Sequence, residues 1–200
     1  MITRTQLLDR RGYSLIEILF VVALTGVIAA IAVPMMGNSL GFFRLSGDAR
    51  SLSNSIALSK MRAASVFSRV RVFIDRNGRS FHLESWNSAT NQWTADTGNT
   101  YLSQGVTFAF NPVTAAPPNT QATIQQAQTC RDNTGTLIAN TSCVIFNSRG
   151  IPVDGVTSSP VVDAVYVTDG TAVYAVTMAA TGMIRTWKTP PNATPTWITQ

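Results

Sequence analysis

Few side chains in this sequence could carry out catalysis. His82 is the single histidine and stands two residues before Glu84, so in a β-strand the two would face the same side and could form an acid–base pair or a partial metal site. Neither a second histidine nor an acidic cluster stands near them. We therefore predict solvated or hydrogen-bonded strand residues, no catalytic or metal site, and no cofactor.

Two other motifs are interpreted as structural. Asp75-Arg76-Asn77-Gly78 begins like a calcium-binding loop, but the acidic residues that should follow are missing, so we predict a hairpin turn of type I′ at Asn77-Gly78. Cys130 and Cys143 enclose 12 residues. Outside the cytosol they are expected to form a disulfide, which stabilises a loop of this size by about 3 kcal/mol on the chain-entropy model; two reduced thiols are the alternative.

Basic residues are concentrated in one part of the chain. Fifteen Lys and Arg against ten Asp and Glu give a net charge of +5, and residues 44–79 alone carry +6. Arg69, Arg71, Arg76 and Arg79 fall on or beside the first predicted hairpin, with Arg69 and Arg71 on one face of a strand. Such a cluster suits phosphate groups; a solvated strand face and contacts with acidic patches of neighbouring subunits are the alternatives.

Length and composition limit which structural elements can position these residues. Two hundred residues with 45% hydrophobic and 12% charged side chains exclude a disordered chain and allow one globular domain with an anchoring segment. Residues 18–37 carry no charge, and about twenty helical residues cover the roughly 30 Å hydrocarbon core of a bilayer. Arg4, Arg10 and Arg11 precede this run, so the positive-inside rule predicts a cytoplasmic N-terminus, with everything after about residue 40 across the inner membrane.

Three interpretations of the N-terminal segment remain open. It could be an uncleaved signal anchor that keeps Met1, or a secretory signal cleaved after Ala30-Ile31-Ala32 to leave Val33 first. The third interpretation rests on Glu17. Placing a carboxylate in hydrocarbon costs about 2.5–3.5 kcal/mol, so a carboxylate at this position is expected to have a function. Cleavage after Gly12 would create an α-amine at Tyr13, one helical turn from Glu17, and so supply a partner for the carboxylate.

The run Arg11-Gly12-Tyr13-Ser14-Leu15-Ile16-Glu17 and the apolar segment after it resemble the class III signal of type IV pilins and type II secretion pseudopilins. Pro34 also stands where that family has a proline. The resemblance implies cleavage after Gly12 by prepilin peptidase and N-methylation of Tyr13, where phenylalanine is usual. It further implies that Glu17 and Pro34 serve filament assembly, Glu17 by setting the register of subunits.

The remainder of the chain predicts an α+β fold, in which a long N-terminal helix with a transmembrane first half packs on an antiparallel β head. We expect a leader over residues 1–12, a transmembrane and filament-core helix over 13–38, an amphipathic helix over 39–67, the β head over 68–188 and an irregular tail over 189–200. Residues 111–128 are expected to form an exposed loop. The predicted strands cover residues 69–75, 81–86, 106–110, 143–146, 161–168, 172–178 and 183–188.

The head resembles minor pilins and pseudopilins of the GspH/FimT type, through Phe146–Gly155 and Ala175–Arg185. The resemblance implies a non-enzymatic subunit anchored in the bacterial inner membrane, with a periplasmic head, that enters a pilus or pseudopilus in a tip or initiation complex with other major and minor pilins. The alternatives are a DNA-binding minor pilin of natural transformation and a simple signal-anchored periplasmic β domain. Some FimT-like members bind DNA through Gly-Arg-x-Arg; here Gly182-Met183-Ile184-Arg185 keeps only the second arginine, with Lys188 nearby.

Overall fold

The computed structural model describes residues 13–200, apart from the side chains of residues 33–39. The predicted leader, including Gly12, lies outside the described residues. The chain divides into two compact units, with the boundary after Leu40. Helix α1 (Leu15–Val66) contributes to both units, and its backbone remains helical through Pro34.

The first unit consists of the N-terminal part of α1. Leu15–Ala32 is long and apolar enough to cross a membrane, and none of this segment is buried. Leu15, Ile16 and Phe20 each expose more than two thirds of their surface. Apolar side chains exposed along a helix of this length are stable in lipid or against other helices, and not in water.

In the second unit, α1 presents the apolar stripe that its periodicity predicts. Leu45, Ala49, Leu52 and Ile56 are fully buried at spacings of three and four residues. Ser59 interrupts the stripe, and it is accommodated because its hydroxyl donates to the carbonyl of Ile56 at 2.7 Å. The helix ends at Val66.

The first β-sheet packs on this stripe and contains strands β1 (Val70–Asp75), β2 (Ser80–Asn87), β3 (Gln92–Ala95), β4 (Thr100–Tyr101) and β5 (Thr141–Phe146). Their order is β3-β2-β1-β5, with β4 beside β2, and all pairings are antiparallel. The alternate residues Val70, Val72 and Ile74 lie in the core that α1 covers. The opposite face of the sheet carries Phe73, which packs against the Cys130–Cys143 region.

The second sheet contains β6 (Asp163–Thr168), β7 (Val173–Met178), β8 (Ile184–Thr189) and β9 (Ile198–Thr199), in the order β6-β7-β8-β9. It is antiparallel, and its strands β6 and β7 are buried on both faces. One face shares the core of α1, and the other forms a second apolar cluster around Tyr166 and Trp187. The α+β class with an antiparallel head is thus confirmed.

Several local predictions were wrong. Residues 111–128 do not form a purely exposed loop, since Val113 is buried and Ile124 packs on the outer face of the second sheet. Residues 106–110 form only an isolated bridge from Thr107 to Thr168, and the expected irregular tail contains β9. All three segments contact residues that are distant in sequence, and local composition does not reveal such contacts.

The hairpin between β1 and β2 forms, but its turn is not of type I′. Asp75 pairs with Ser80 across a four-residue loop, and Arg79 has a φ of 50°. The Asp75 carboxylate accepts hydrogen bonds from the amides of Asn77 (3.0 Å) and Gly78 (2.9 Å). This Asx arrangement places the left-handed residue after Gly78. The prediction of a turn at Asp75–Gly78 agrees with this geometry.

Candidate assembly segment and charged surfaces

The N-terminal turn of α1 brings Tyr13 and Glu17 together. They line a shallow recess of about 240 Å³ with Ile18, Val21 and Val22. The amide of Ile18 donates to the carbonyl of Ser14 at 3.2 Å, so the helical hydrogen bonding begins one residue after Tyr13. A carboxylate in this first turn also lies at the positive end of the helix dipole. An α-amine on Tyr13 would therefore lie within one turn of Glu17, in an otherwise apolar recess.

Ser14 and Glu17 also have the spacing of a helix capping box, which the sequence interpretation missed. Ser14 precedes the first helical residue, Leu15, and Glu17 follows three positions later. The Ser-x-x-Glu pattern was the available signal. This local role needs a hydrogen-bonding side chain and not a charge, since glutamine also serves at the last position of the box. A capping role and a charge-pairing role of Glu17 would therefore be separable by substitution.

Cys130 and Cys143 form the expected disulfide, with Cα atoms 5.0 Å apart. Both cysteines are buried with Ile145 and Val153. The bond joins the segment before the 131–142 loop to strand β5, and the amide of Cys143 donates to the carbonyl of Gln128 at 2.7 Å. Because the disulfide is buried in a small apolar cluster, it is a structural cross-link.

Arg71 is a buried structural residue and not a surface cation. Only 3% of it is exposed, its Nε donates to the Glu84 carboxylate, and its Nη1 donates to the carbonyl of Arg131 at 2.7 Å. Its guanidinium also lies 4.1 Å from the Trp93 ring centroid. Burial lowers the pKa of Arg71, while the charge of Glu84 raises it and keeps the side chain ionised. The prediction that Arg71 could contact phosphates was wrong, because loop 131–135 covers this side of β1.

Glu84 also contacts His82, as the same-face spacing predicted. His82 Nε2 lies 3.1 Å from Glu84 Oε1, and the imidazole stacks against Phe73 with ring centroids 5.2 Å apart. Glu84 thus contacts both Arg71 and His82, and these contacts anchor the pair on the sheet. Among the described residues, no group of three or more His, Cys, Asp or Glu could hold a metal ion.

Arg69 differs from Arg71 in both position and environment. It precedes β1 instead of lying on it, and it is half-buried. Its guanidinium carbon lies 4.9 Å from the Trp86 ring centroid and 5.9 Å from that of Trp93. The two indoles pack edge to face, with centroids 5.2 Å apart. Arg69 therefore stacks on an aromatic pair.

The other predicted cations lie elsewhere and do not converge. Arg76 and Arg79 occupy the hairpin loop, where Arg79 is exposed and Arg76 Nε is buried without a hydrogen-bond partner. Arg185 and Lys188 lie on opposite faces of β8. Arg185 is exposed beside Trp187, whereas Lys188 Nζ lies 4.3 Å from the ring centroid of Phe42.

Trp187 packs into the second sheet instead of facing a ligand. It is 7% exposed, and its Nε1 donates to Thr177 Oγ1 at 2.9 Å. The turn before β8 is closed by Gly182, whose φ is 81° and whose carbonyl accepts from Lys60 Nζ at 2.8 Å. A Cβ at Gly182 would clash with the carbonyl oxygen of Gly150. Gly182 and Trp187 thus each have a structural explanation.

Comparisons with known proteins identify the N-terminal segment. Residues 8–33 match the family model of the prokaryotic N-terminal methylation motif. No curated protein matches the chain. Among solved structures, the chain is similar to the minor pseudopilin EpsH of the type 2 secretion system of Vibrio cholerae, at 16% identity and a TM-score of 0.38 over 72% of this chain and 95% of that one. A second, crystal structure of EpsH gives 17% identity and a TM-score of 0.38 over 76% and 95% of the two chains.

Proposed function

We propose that this chain, which carries the N-terminal methylation segment of the type IV pilin and pseudopilin superfamily, is a minor, non-enzymatic subunit of a pilus or pseudopilus. The observation that carries the proposal is the exposed apolar first unit with a single carboxylate in its first turn. Lipid covers such a helix while the subunit is stored in the membrane. In a filament, the helices of neighbouring subunits replace the lipid.

Processing supplies the partner of Glu17 in this scheme. A prepilin peptidase and methyltransferase cleaves after Gly12 and methylates the amine of Tyr13. The Glu17 carboxylate then pairs with an N-terminal amine in the same or a neighbouring subunit. Because an unpaired charge in an apolar filament core costs several kcal/mol, only the correct axial register is stable.

The head lies in the periplasm in this proposal, with the N-terminus in the cytoplasm before cleavage. Two features support the assignment. Arg4, Arg10 and Arg11 precede the span, and the Cys130–Cys143 disulfide suits an oxidising compartment. We further propose that the subunit acts in a tip or initiation complex with other major and minor pilins. The second unit is rich in loops, since no strand lies between β4 and β5, and this supports a minor role.

A DNA-receptor function has less support from the geometry. Arg71 is buried, Arg185 and Lys188 face opposite ways, and Trp187 is packed in the core. Single-stranded DNA binding requires a continuous basic groove with accessible aromatic rings. The six arginine and lysine residues considered for DNA do not form one.

The test is incorporation of Glu17 variants into sheared filaments in a strain with the cognate machine. Glu17→Gln keeps the length and the capping box but removes the charge, and we expect normal membrane insertion with at least about a tenfold loss of incorporation. Ser14→Ala is the matched control, since it removes the cap and keeps the charge, and it should incorporate normally. Normal incorporation of Glu17→Gln would overturn the pairing role of Glu17. Loss in Ser14→Ala alone would make the capping box the reason for the glutamate.

A further inference from the structure

Arg69 is a half-buried cation with no acidic partner. Its guanidinium is held against Trp86 and Trp93, and among residues 13–200 it forms no ion pair and no side-chain hydrogen bond. Stacking on an aromatic face fixes the plane of a guanidinium while leaving its N–H edge available. A fixed guanidinium edge is the geometry that binds a carboxylate through two parallel hydrogen bonds.

The cleft beside Arg69 has room for such a group. Its volume is about 220 Å³, and besides Arg69 and Arg71 it is lined by the two indoles, loop 131–135, Gln128, Thr129, Ile145 and Gly155. Arg131 lies in this loop, and its Nη1 donates to the carbonyl of Gly135 at 2.7 Å. The charge of Arg71 is balanced by Glu84. The cleft therefore presents Arg69 and Arg131 beside an aromatic surface, with the Asp132 carboxylate also among its lining residues.

A second copy of this chain is a poor source of the acidic group, because two copies of a basic unit repel each other. The second unit contains twelve basic and eight acidic residues, a net charge of +4. Each of the eight carboxylates already accepts hydrogen bonds within the chain. They are Asp48, Asp75, Glu84, Asp96, Asp132, Asp154, Asp163 and Asp169. An acidic group for Arg69 is more readily supplied by a different molecule.

We propose that the Arg69 cleft is a docking site for an acidic segment of another protein, with an Asp or Glu carboxylate on Arg69 and a neighbouring apolar or aromatic side chain against Trp86 and Trp93. Binding does not depend on the proposed function. If that function holds, the segment belongs to a neighbouring subunit or an assembly partner. Opposite charges across the contact would raise the association rate and select the partner.

A protein segment fits this cleft better than a nucleic acid strand. The Asp132 carboxylate lies in loop 131–135, and hydrogen bonds from Thr134 and Thr136 lower its pKa and keep it ionised. Asp154, whose pKa is also lowered, acts on Arg131 from nearby. A run of phosphates would meet these negative charges, whereas a single carboxylate on Arg69 would not. The cleft thus suits one anionic group and not a chain of them.

The experiment is calorimetric titration of the full-length protein in neutral detergent micelles. The probes are the capped peptide Ac-Gly-Glu-Phe-Gly-Gly-NH₂, its glutamine counterpart Ac-Gly-Gln-Phe-Gly-Gly-NH₂ and single-stranded DNA of about 20 nucleotides. Titrations at about 25 mM and about 150 mM NaCl measure screening of the contact. The variants are Arg69→Gln and, as a matched control, Arg149→Gln, because Arg149 is exposed and outside the cleft. Near-ultraviolet circular dichroism shows whether each variant keeps the native packing.

We expect the glutamate peptide to bind the wild type and Arg149→Gln equally, at least about tenfold more tightly than the glutamine peptide. Affinity should fall about tenfold in Arg69→Gln and weaken at the higher salt concentration. Equal binding of the two peptides, undiminished binding by natively packed Arg69→Gln, or no binding at all would overturn the proposal. Tighter binding of DNA that depends on Arg69 would replace it with a nucleic acid site. This titration does not measure filament incorporation. If the peptide does not bind, the docking proposal fails, while the assembly role of Glu17 is still tested separately by the incorporation experiment.

Discussion

Asp163 makes the stability of the head depend on pH in a direction that can be calculated. It is the first residue of β6 and is 6% exposed, with Oδ1 accepting from the amide of Ala164 at 3.1 Å. Burial, helped by the negative charge of Asp154, raises the pKa of Asp163 to about 7, against opposing hydrogen bonds. The folded state therefore holds a proton that the unfolded chain releases near pH 4.

The direction and the magnitude of this pH dependence follow from the linkage between proton binding and folding. Because the folded pKa is raised, the stabilisation is fully present below the unfolded pKa and is lost as pH rises to about 7. A difference of about three pKa units corresponds to about 4 kcal/mol, since each unit is worth about 1.4 kcal/mol. Between pH 5 and pH 7.5 the free energy of unfolding should therefore fall by about 2–3 kcal/mol. Asp163→Asn keeps an acceptor for the Ala164 amide but cannot ionise, so this part of the pH dependence should vanish.

The assay is guanidinium unfolding of the full-length protein in detergent, followed by tryptophan fluorescence at several pH values from 5 to 8. All four tryptophans lie in residues 86–197, so the signal reports the second unit. At pH 7.5 the Asp163→Asn protein should be as stable as the wild type or more so. Identical pH profiles for the two proteins, or a wild type that becomes more stable toward pH 7.5, would refute the reasoning.

Three further substitutions test the packing of the second unit by the same unfolding measurement. Glu84→Gln leaves the Arg71 charge buried without its partner and should lower the free energy of unfolding by about 3–5 kcal/mol; a change under about 1 kcal/mol would show that water reaches Arg71. Replacing Cys130 and Cys143 by serine should cost about 2–5 kcal/mol, and reductant should destabilise the wild type but not this variant. Gly182→Ala should cost about 1–3 kcal/mol because of its positive φ and the clash of its Cβ, and an unchanged midpoint would contradict that geometry.

The N-terminal helix could be predicted well because its signals are local. An uncharged run, basic residues before it and Glu17 at its start all lie within residues 4–37, and they need no tertiary contact to be recognised. The same holds for the buried stripe from Leu45 to Ile56, whose spacing follows the helical repeat. The Ser14 capping position was overlooked although its pattern is equally local.

The charged surfaces could not be predicted, because their environment depends on distant segments. Arg71 alternates with Val70 and Val72 as a solvated strand residue would, but loop 131–135 and Trp93 cover that side of β1. The alternation of residues predicts the same environment for Arg69 as for Arg71, which is two positions away. Only the folded arrangement shows that Arg71 has an acidic partner and that Arg69 has aromatic neighbours instead.

The most direct test of the central claim is the intact mass and N-terminal sequence of the protein purified from membranes of cells with and without prepilin peptidase. With the peptidase, we expect a chain that begins at N-methylated Tyr13; without it, we expect a chain that retains Met1. A chain beginning at Met1 in both strains would make the segment a simple signal anchor. A chain beginning at Val33 would make it a cleaved secretory signal, and either result would contradict a filament subunit built on Glu17.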